Sequence, residues 1–161
     1  MPLNKILKLG NPKLHEKSKE VSFDELNSLQ NHLDLLNDLI LKFRKLHGAG
    51  RGIAAPQIGL MKRIICLNLN DKRHTLINPV LSNFSDETFE LWDDCMCFPN
   101  LLVKVNRHKS CTVTFKDQCW EEHTWELNGD LSELIQHEYD HLDGILATQR
   151  AIDGKSFKLK K

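Results

Sequence analysis

Apolar positions between residues 22 and 47 recur at helical spacing. Leu26, Leu29, Leu33, Leu36, Ile40 and Phe43 lie three or four residues apart, a stripe along one helical face. Ser22-Phe23-Asp24-Glu25 has the S-x-x-E form of a capping box, and Gly48 closes the stripe, so a helix is predicted from Ser22 to about Leu46. Ahead of it, residues 3–21 read as irregular, with a turn at Gly10-Asn11-Pro12. A glycine-rich stretch, Gly48-Ala49-Gly50-Arg51-Gly52, follows the helix. Strand-like runs come next at Arg63–Leu69, Thr75–Val80, Leu101–Val105 and Ser110–Phe115, with a further strand over Trp120–Leu127 that shows Glu121 and His123 to water. Asn128-Gly129 marks a turn. A second helix is predicted from about Asp130 to His141, stopping at Gly144. Helix, several strands and helix predict an α+β fold with mixed or mostly antiparallel sheets, a long N-terminal helix and a second helix near the C-terminus.

Composition narrows the class. A length of 161 residues without repeats or linkers suits one domain over 1–161 and can bury a real core. Lys+Arg and Asp+Glu both number 22, so the net charge is zero; nucleic-acid binding and an electrostatic grip on a membrane are not expected. The longest apolar runs, such as Ile64–Leu67, fall far short of a membrane span. Met1-Pro2-Leu3-Asn4-Lys5 lacks the apolar stretch of a secretion signal, which predicts a cytoplasmic protein. Five cysteines without framework spacing argue against a disulfide scaffold and for a reducing compartment. The basic tail Lys155–Lys161 reads as a solvated, frayed end.

The chemistry concentrates in Gln136-His137-Glu138-Tyr139-Asp140-His141. This is H-E-x-x-H on a predicted helix. His137 and His141 are four residues apart and share a face, which suits two ligands of one tetrahedral metal ion. Glu138 sits where a carboxylate can exchange a proton with a reacting water without ligating the ion. A third ligand is needed. A metzincin-type third histidine is missing, because Ala147 stands at that position, and no glutamate follows Glu138. An upstream thiolate would serve. Cys66 and Cys111 lie in apolar strand-like runs and read as core, and Cys119 lies in a turn. Cys95 and Cys97 are two apart; an extended segment sends both sulfurs to one side, and spacing does not choose between them. One cysteine and two histidines leave a fourth position open, as a catalytic site requires.

These residues resemble the peptide deformylase family, with its motifs G-x-G-x-A-A-x-Q, E-G-C-L-S and Q-H-E-x-D-H in that order. The chain has Gly50-Arg51-Gly52-Ile53-Ala54-Ala55-Pro56-Gln57, then Asp93-Asp94-Cys95-Met96-Cys97, then Gln136–His141. The opening Ile6–Pro12 and Leu76-Ile77-Asn78-Pro79 are also similar. The resemblance implies Cys95, His137 and His141 as metal ligands and Glu138 as general base and acid. It implies Gln57, through its amide, and Met96, through its backbone N–H, as donors to the developing oxyanion. Gly52 would offer its backbone to the substrate. Arg107 would be an orienting partner of Asp93 or Asp140; a plain strand-surface arginine is the other reading. The implied reaction removes formyl from the N-terminal formyl-methionine of nascent peptides, with one divalent ion: Fe(II) natively, with Zn, Ni or Co as substitutes. The implied partners are a formylated peptide and, transiently, the ribosome, with the enzyme a monomer.

The second motif departs from the family pattern. Asp93 replaces Glu, Asp94 replaces Gly and Cys97 replaces Ser. The implied substrate pocket is also altered, since Arg51, Asp130 and Glu133 are charged and only Leu134 is apolar. One reading is a more polar pocket, in which Arg51 pairs with Glu133 or Asp130 and formyl-methionyl peptides are poor substrates. The other makes Asp130 and Glu133 a D-x-x-E capping box facing no substrate. The rival functions are an amidohydrolase acting on another acylated amine and an inactive metal-binding homologue.

Overall fold

The computed structural model describes residues 2–161; Met1, with which the segment read as lacking a secretion signal begins, lies outside them. Two short 3-10 helices, Pro2–Lys5 and Pro12–His15, interrupt the stretch expected to be irregular, and the rest of it forms no helix or strand. The capping box forms, with Ser22 N and Oγ both 3.0 Å from Glu25 Oε2. It opens a 3-10 helix, Phe23–Leu29, which runs into α1, Gln30–His47. The expected single helix is thus a 3-10 entry followed by α-helix. Gly48 ends it in the left-handed conformation, φ 73°.

Eight strands follow: β1 Gly52–Ala54, β2 Ile64–Leu69, β3 Lys72–Ser82, β4 Thr88–Asp93, β5 Leu101–His108, β6 Ser110–Lys116, β7 Glu122–Asn128 and, after the second helix, β8 Phe157–Leu159. Helix α2 spans Asp130–Leu142. Every strand pairing is antiparallel. One sheet has the order β1-β2-β3-β6-β7, the other β4-β5-β8. Strands β1, β4 and β8 were not anticipated. The tail expected to fray instead pairs Phe157–Leu159 with Val103–Leu101 of β5.

Strand β2 is buried on both faces, which is why it reads as the continuous apolar run Ile64-Ile65-Cys66-Leu67. Ile64 and Cys66 join the core of Leu33, Leu36, Leu39, Ile40 and Phe43 from α1. Ile65 and Leu67 join the core of Leu134, Ile135 and Leu142 from α2. The period of two along the strand divides these residues between the helices and holds α2 against the end of the sheet where β1 lies. The C-terminal end of α2 is tied to the N-terminal segment: Ser18 donates to Leu142 O from both N (2.9 Å) and Oγ (2.8 Å). At Gly144, φ 74°, an added Cβ would meet His15 backbone atoms at 2.5 Å, so this crossing requires glycine. Among the described residues, no helix is long and apolar enough to cross a membrane.

Candidate metal centre

Helix α2 presents His137 and His141 one turn apart, with ring centroids 5.0 Å from each other. Cys95 reaches them from the turn that follows β4. One ligand atom from each of Cys95, His137 and His141 lies within 4.8 Å of the other two, and all three side chains are buried. Cys95 Sγ and His141 Nε2 are 3.4 Å apart. Cys97 is not part of this group. Its sulfur accepts from Gln57 Nε2 at 3.4 Å, beside the longer 3.7 Å contact from the same nitrogen to Cys95 Sγ. Geometry thus groups Cys95, and not Cys97, with the two imidazoles.

The donor set suits a divalent cation. Burial pushes the Cys95 thiol well up and holds the His141 imidazole well down, so both groups are kept neutral in the protein alone. A cation among them would favour thiolate and neutral imidazole, the forms that ligate. His137 is already oriented. Its Nδ1 lies 2.7 Å from Asp93 Oδ2, which must accept, so Nδ1 carries the proton and Nε2 is left for a metal. Burial opposes a charge on His137, but Asp93 outweighs it and lifts the imidazole to about 9, so a metal at Nε2 would have to displace a proton there. Asp93 itself is held below the usual carboxylate range, because His137 and Arg107 outweigh its burial.

Arg107 contacts both expected carboxylates: Nη1 is 2.7 Å from Asp140 Oδ2 and Nη2 is 3.3 Å from Asp93 Oδ2. It is a buried, shared partner and not a surface arginine.

Glu138 lies beside the three donors on α2. Its Oε1 is buried and has no hydrogen-bond partner, and burial pushes its carboxyl up to about 7. Gly52 allows this carboxylate to sit against β1: an added Cβ would lie 3.3 Å from Glu138 Oε2 and 2.8 Å from Leu67 Cδ2. Gln57 is fixed by its own carbonyl, which accepts from Ala54 N at 2.8 Å, so the amide NH2 turns toward the sulfurs.

A cavity of about 210 Å³ opens on these groups, lined in part by Gly50, Arg51, Gly52, Gln57, Met96 and Leu134. Glu133 and Asp94 also line it. Arg51 Nη2 donates to Glu133 Oε1 at 2.7 Å across the cavity wall. The capping-box alternative is overturned, since α2 starts at Asp130 after Gly129 with no side-chain cap. Asp130, grouped with the pocket on helical spacing, lies instead in an adjoining groove with Asn68 and Asp71, because it is the first, outermost residue of the helix. Asp94 pairs with Lys160, Nζ 3.3 Å from Oδ2. Phe43, read only as core of α1, also lines the cavity. Arg150, not singled out from the sequence, binds Asp140 through two nitrogens, at 3.2 and 3.0 Å.

The chain is similar to known proteins in sequence and in fold. The family model for polypeptide deformylase matches residues 3–157. A peptide deformylase of Natranaerobius thermophilus is 36% identical over 155 residues, covering 94% of each chain. The crystal structure of peptide deformylase from Thermotoga maritima superposes with a TM-score of 0.82 at 28% identity, covering 92% of this chain and 97% of that one. A peptide deformylase from Synechococcus elongatus, solved in complex with actinonin, gives 0.85 at 27% identity, covering 92% and 79%. With a family match over nearly the whole length and the three motifs gathered at one cavity, the chain belongs to the polypeptide deformylase family.

Proposed function

We infer that this chain hydrolyses the N-formyl group from the N-terminal formyl-methionine of nascent peptides and releases formate. The observation that carries the reading is the convergence of Cys95, His137 and His141 beside a buried, unpartnered Glu138 oxygen. Cys95, His137 and His141 would hold one divalent ion, Fe(II) in the native protein, with Zn, Ni or Co able to replace it. Such an ion supplies Lewis acidity and lowers the pKa of water.

The chain's own groups do the rest. Glu138, with its carboxyl near 7, takes a proton from the attacking water and delivers it to the amine that leaves. The Gln57 amide, fixed through Ala54, and the Met96 backbone N–H donate to the formyl oxygen as charge builds on it. The backbone at Gly52, on the edge strand β1, holds the peptide. Asp93, Arg107 and Asp140 keep His137 oriented. Arg51, Glu133 and Asp94 meet the peptide's side chains in the cavity, and Asp130 meets residues farther along in the adjoining groove.

The inert-homologue reading gains nothing, because holding a metal requires neither Glu138 nor Gln57. An amidohydrolase for other acylated amines gains no support from relatives named peptide deformylase. We place the protein in the cytoplasm, working as a monomer with at most transient ribosome contact. Formate release from formyl-Met-Ala-Ser tests the reading. Turnover that falls about 100- to 10,000-fold in Glu138→Gln supports it; no formate from the parent protein sinks it.

A further inference from the structure

We propose that Arg150 is a positioning residue for the metal centre, acting on His137 through Asp140, Arg107 and Asp93. The proposal rests on the metal-site reading above. Arg150 closes the short 3-10 helix Ala147–Arg150 that follows α2. Its Nε and Nη2 take both oxygens of Asp140. Asp140 Oδ2 accepts in turn from Arg107 Nη1, Arg107 Nη2 reaches Asp93 Oδ2, and Asp93 Oδ2 accepts from His137 Nδ1. Charge alternates along the row, cation, anion, cation, anion, and ends at an imidazole ligand. Arg150 is the one member open to water: its side chain is 47% exposed, against 11% for Asp140, 4% for Arg107 and 6% for Asp93.

The distances show why the outer residue matters. Arg107 is divided unequally between its carboxylates, 2.7 Å to Asp140 and 3.3 Å to Asp93. The two-point grip of Arg150 fixes the plane of the Asp140 carboxylate and neutralises part of its charge. Without that grip, Asp140 turns and draws Arg107 harder. The long contact to Asp93 is the one that yields. Asp93 then holds the His137 ring less firmly, and the ligand loses orientation. A lysine at 150 keeps the charge but makes a point contact instead of a fork, so it restores only part of the effect.

The test is zinc release from the loaded protein to a chromogenic chelator, with kcat and KM measured alongside. Partners in direct contact with a ligand typically change metal affinity about 10–100-fold, so a more remote group is expected to speed release roughly 3- to 10-fold in Arg150→Met. Arg150→Lys should fall between the parent and that variant. The loss should appear in kcat with KM unchanged, and Arg150→Met in an Asp140→Asn background should add less than about twofold. Arg73→Met, which breaks the remote pair with Asp34, should leave release unchanged. If Arg150→Met melts before it can be assayed, the intermediate release rate of Arg150→Lys decides. The proposal is overturned if zinc release in folded Arg150→Met and Arg150→Lys equals that of the parent, or if the effects at 150 and 140 multiply independently. A parent that binds no zinc would instead overturn the metal-site reading itself.

Discussion

Arg51 Nη2 and Glu133 Oε1 meet at 2.7 Å on the wall of the metal cleft, bridging the glycine-rich segment and the first turns of α2. Glu133 is buried and Arg51 half-exposed, so the carboxylate is the member that depends on its partner. Burial pushes the Glu133 carboxyl up, and the Arg51 hydrogen bond opposes that shift. In the proposed reading, in which this cavity takes the peptide's first side chain, the pair puts charge against the methionine. Replacing both, Arg51→Val with Glu133→Ile, is expected to raise kcat/KM on formyl-Met-Ala-Ser roughly tenfold, within the range one apolar contact supplies. Arg51→Val alone leaves a buried acid without its partner and should lower Tm more than the double change does. Fast turnover by the parent with no gain in the double variant would show that the pair does not limit methionine.

The two neighbouring thiols should behave differently. Cys95→Ser is expected to weaken zinc binding by more than the roughly 10–100-fold typical of losing an orienting partner. Cys97→Ser keeps an acceptor for Gln57 and should change binding less than about tenfold. Competition titrations that reverse this order would make Cys97 the ligand.

Gly52→Ala forces a methyl group to 2.8 Å from Leu67 Cδ2 and 3.3 Å from Glu138 Oε2. Since misplacement by about 1 Å can cost roughly 100-fold, kcat/KM should fall by up to about that factor while zinc content stays at the parent level. Equal turnover in the two proteins would mean that β1 does not set the carboxylate's position.

Helix α2 and its H-E-x-x-H were legible because both depend on spacing within one element. What was not legible depends on partners far away in the chain. Strand β1 is only Gly52-Ile53-Ala54, too short to show a period. Strand β4 ends with Asp93 pointing inward and Trp92 outward, the reverse of the expected alternation, because Asp93 is satisfied by Arg107 and His137. The lysines of the tail point to a solvated end, yet β5 offers an edge on which Phe157–Leu159 pairs. Arg51 and Glu133 are 82 residues apart, and spacing alone does not distinguish Glu133 from Asp130 as the partner of Arg51.

The N-terminal capping box gives a pH dependence of stability. The Lys62 hydrogen bond, followed by the Ser22 backbone, holds Glu25 down at about 2 from 4.5. A depressed carboxylate stabilises the fold above its unfolded pKa, and that contribution disappears as pH falls toward 2. Glu25→Gln should therefore be less stable than the parent at pH 7, and the gap should close between about pH 4.5 and 2. Urea denaturation across that range checks it; a gap independent of pH would remove the ion pair as its cause.

The most direct test of the account titrates metal-free protein with a divalent ion and reads bound metal and formate production on the same samples. Turnover of formyl-Met-Ala-Ser should rise in proportion to bound ion and stop at one per chain, while Glu138→Ala should fill equally and release no formate above background. Formate released at full rate without metal, or a filled site in the parent protein that releases none, would contradict it.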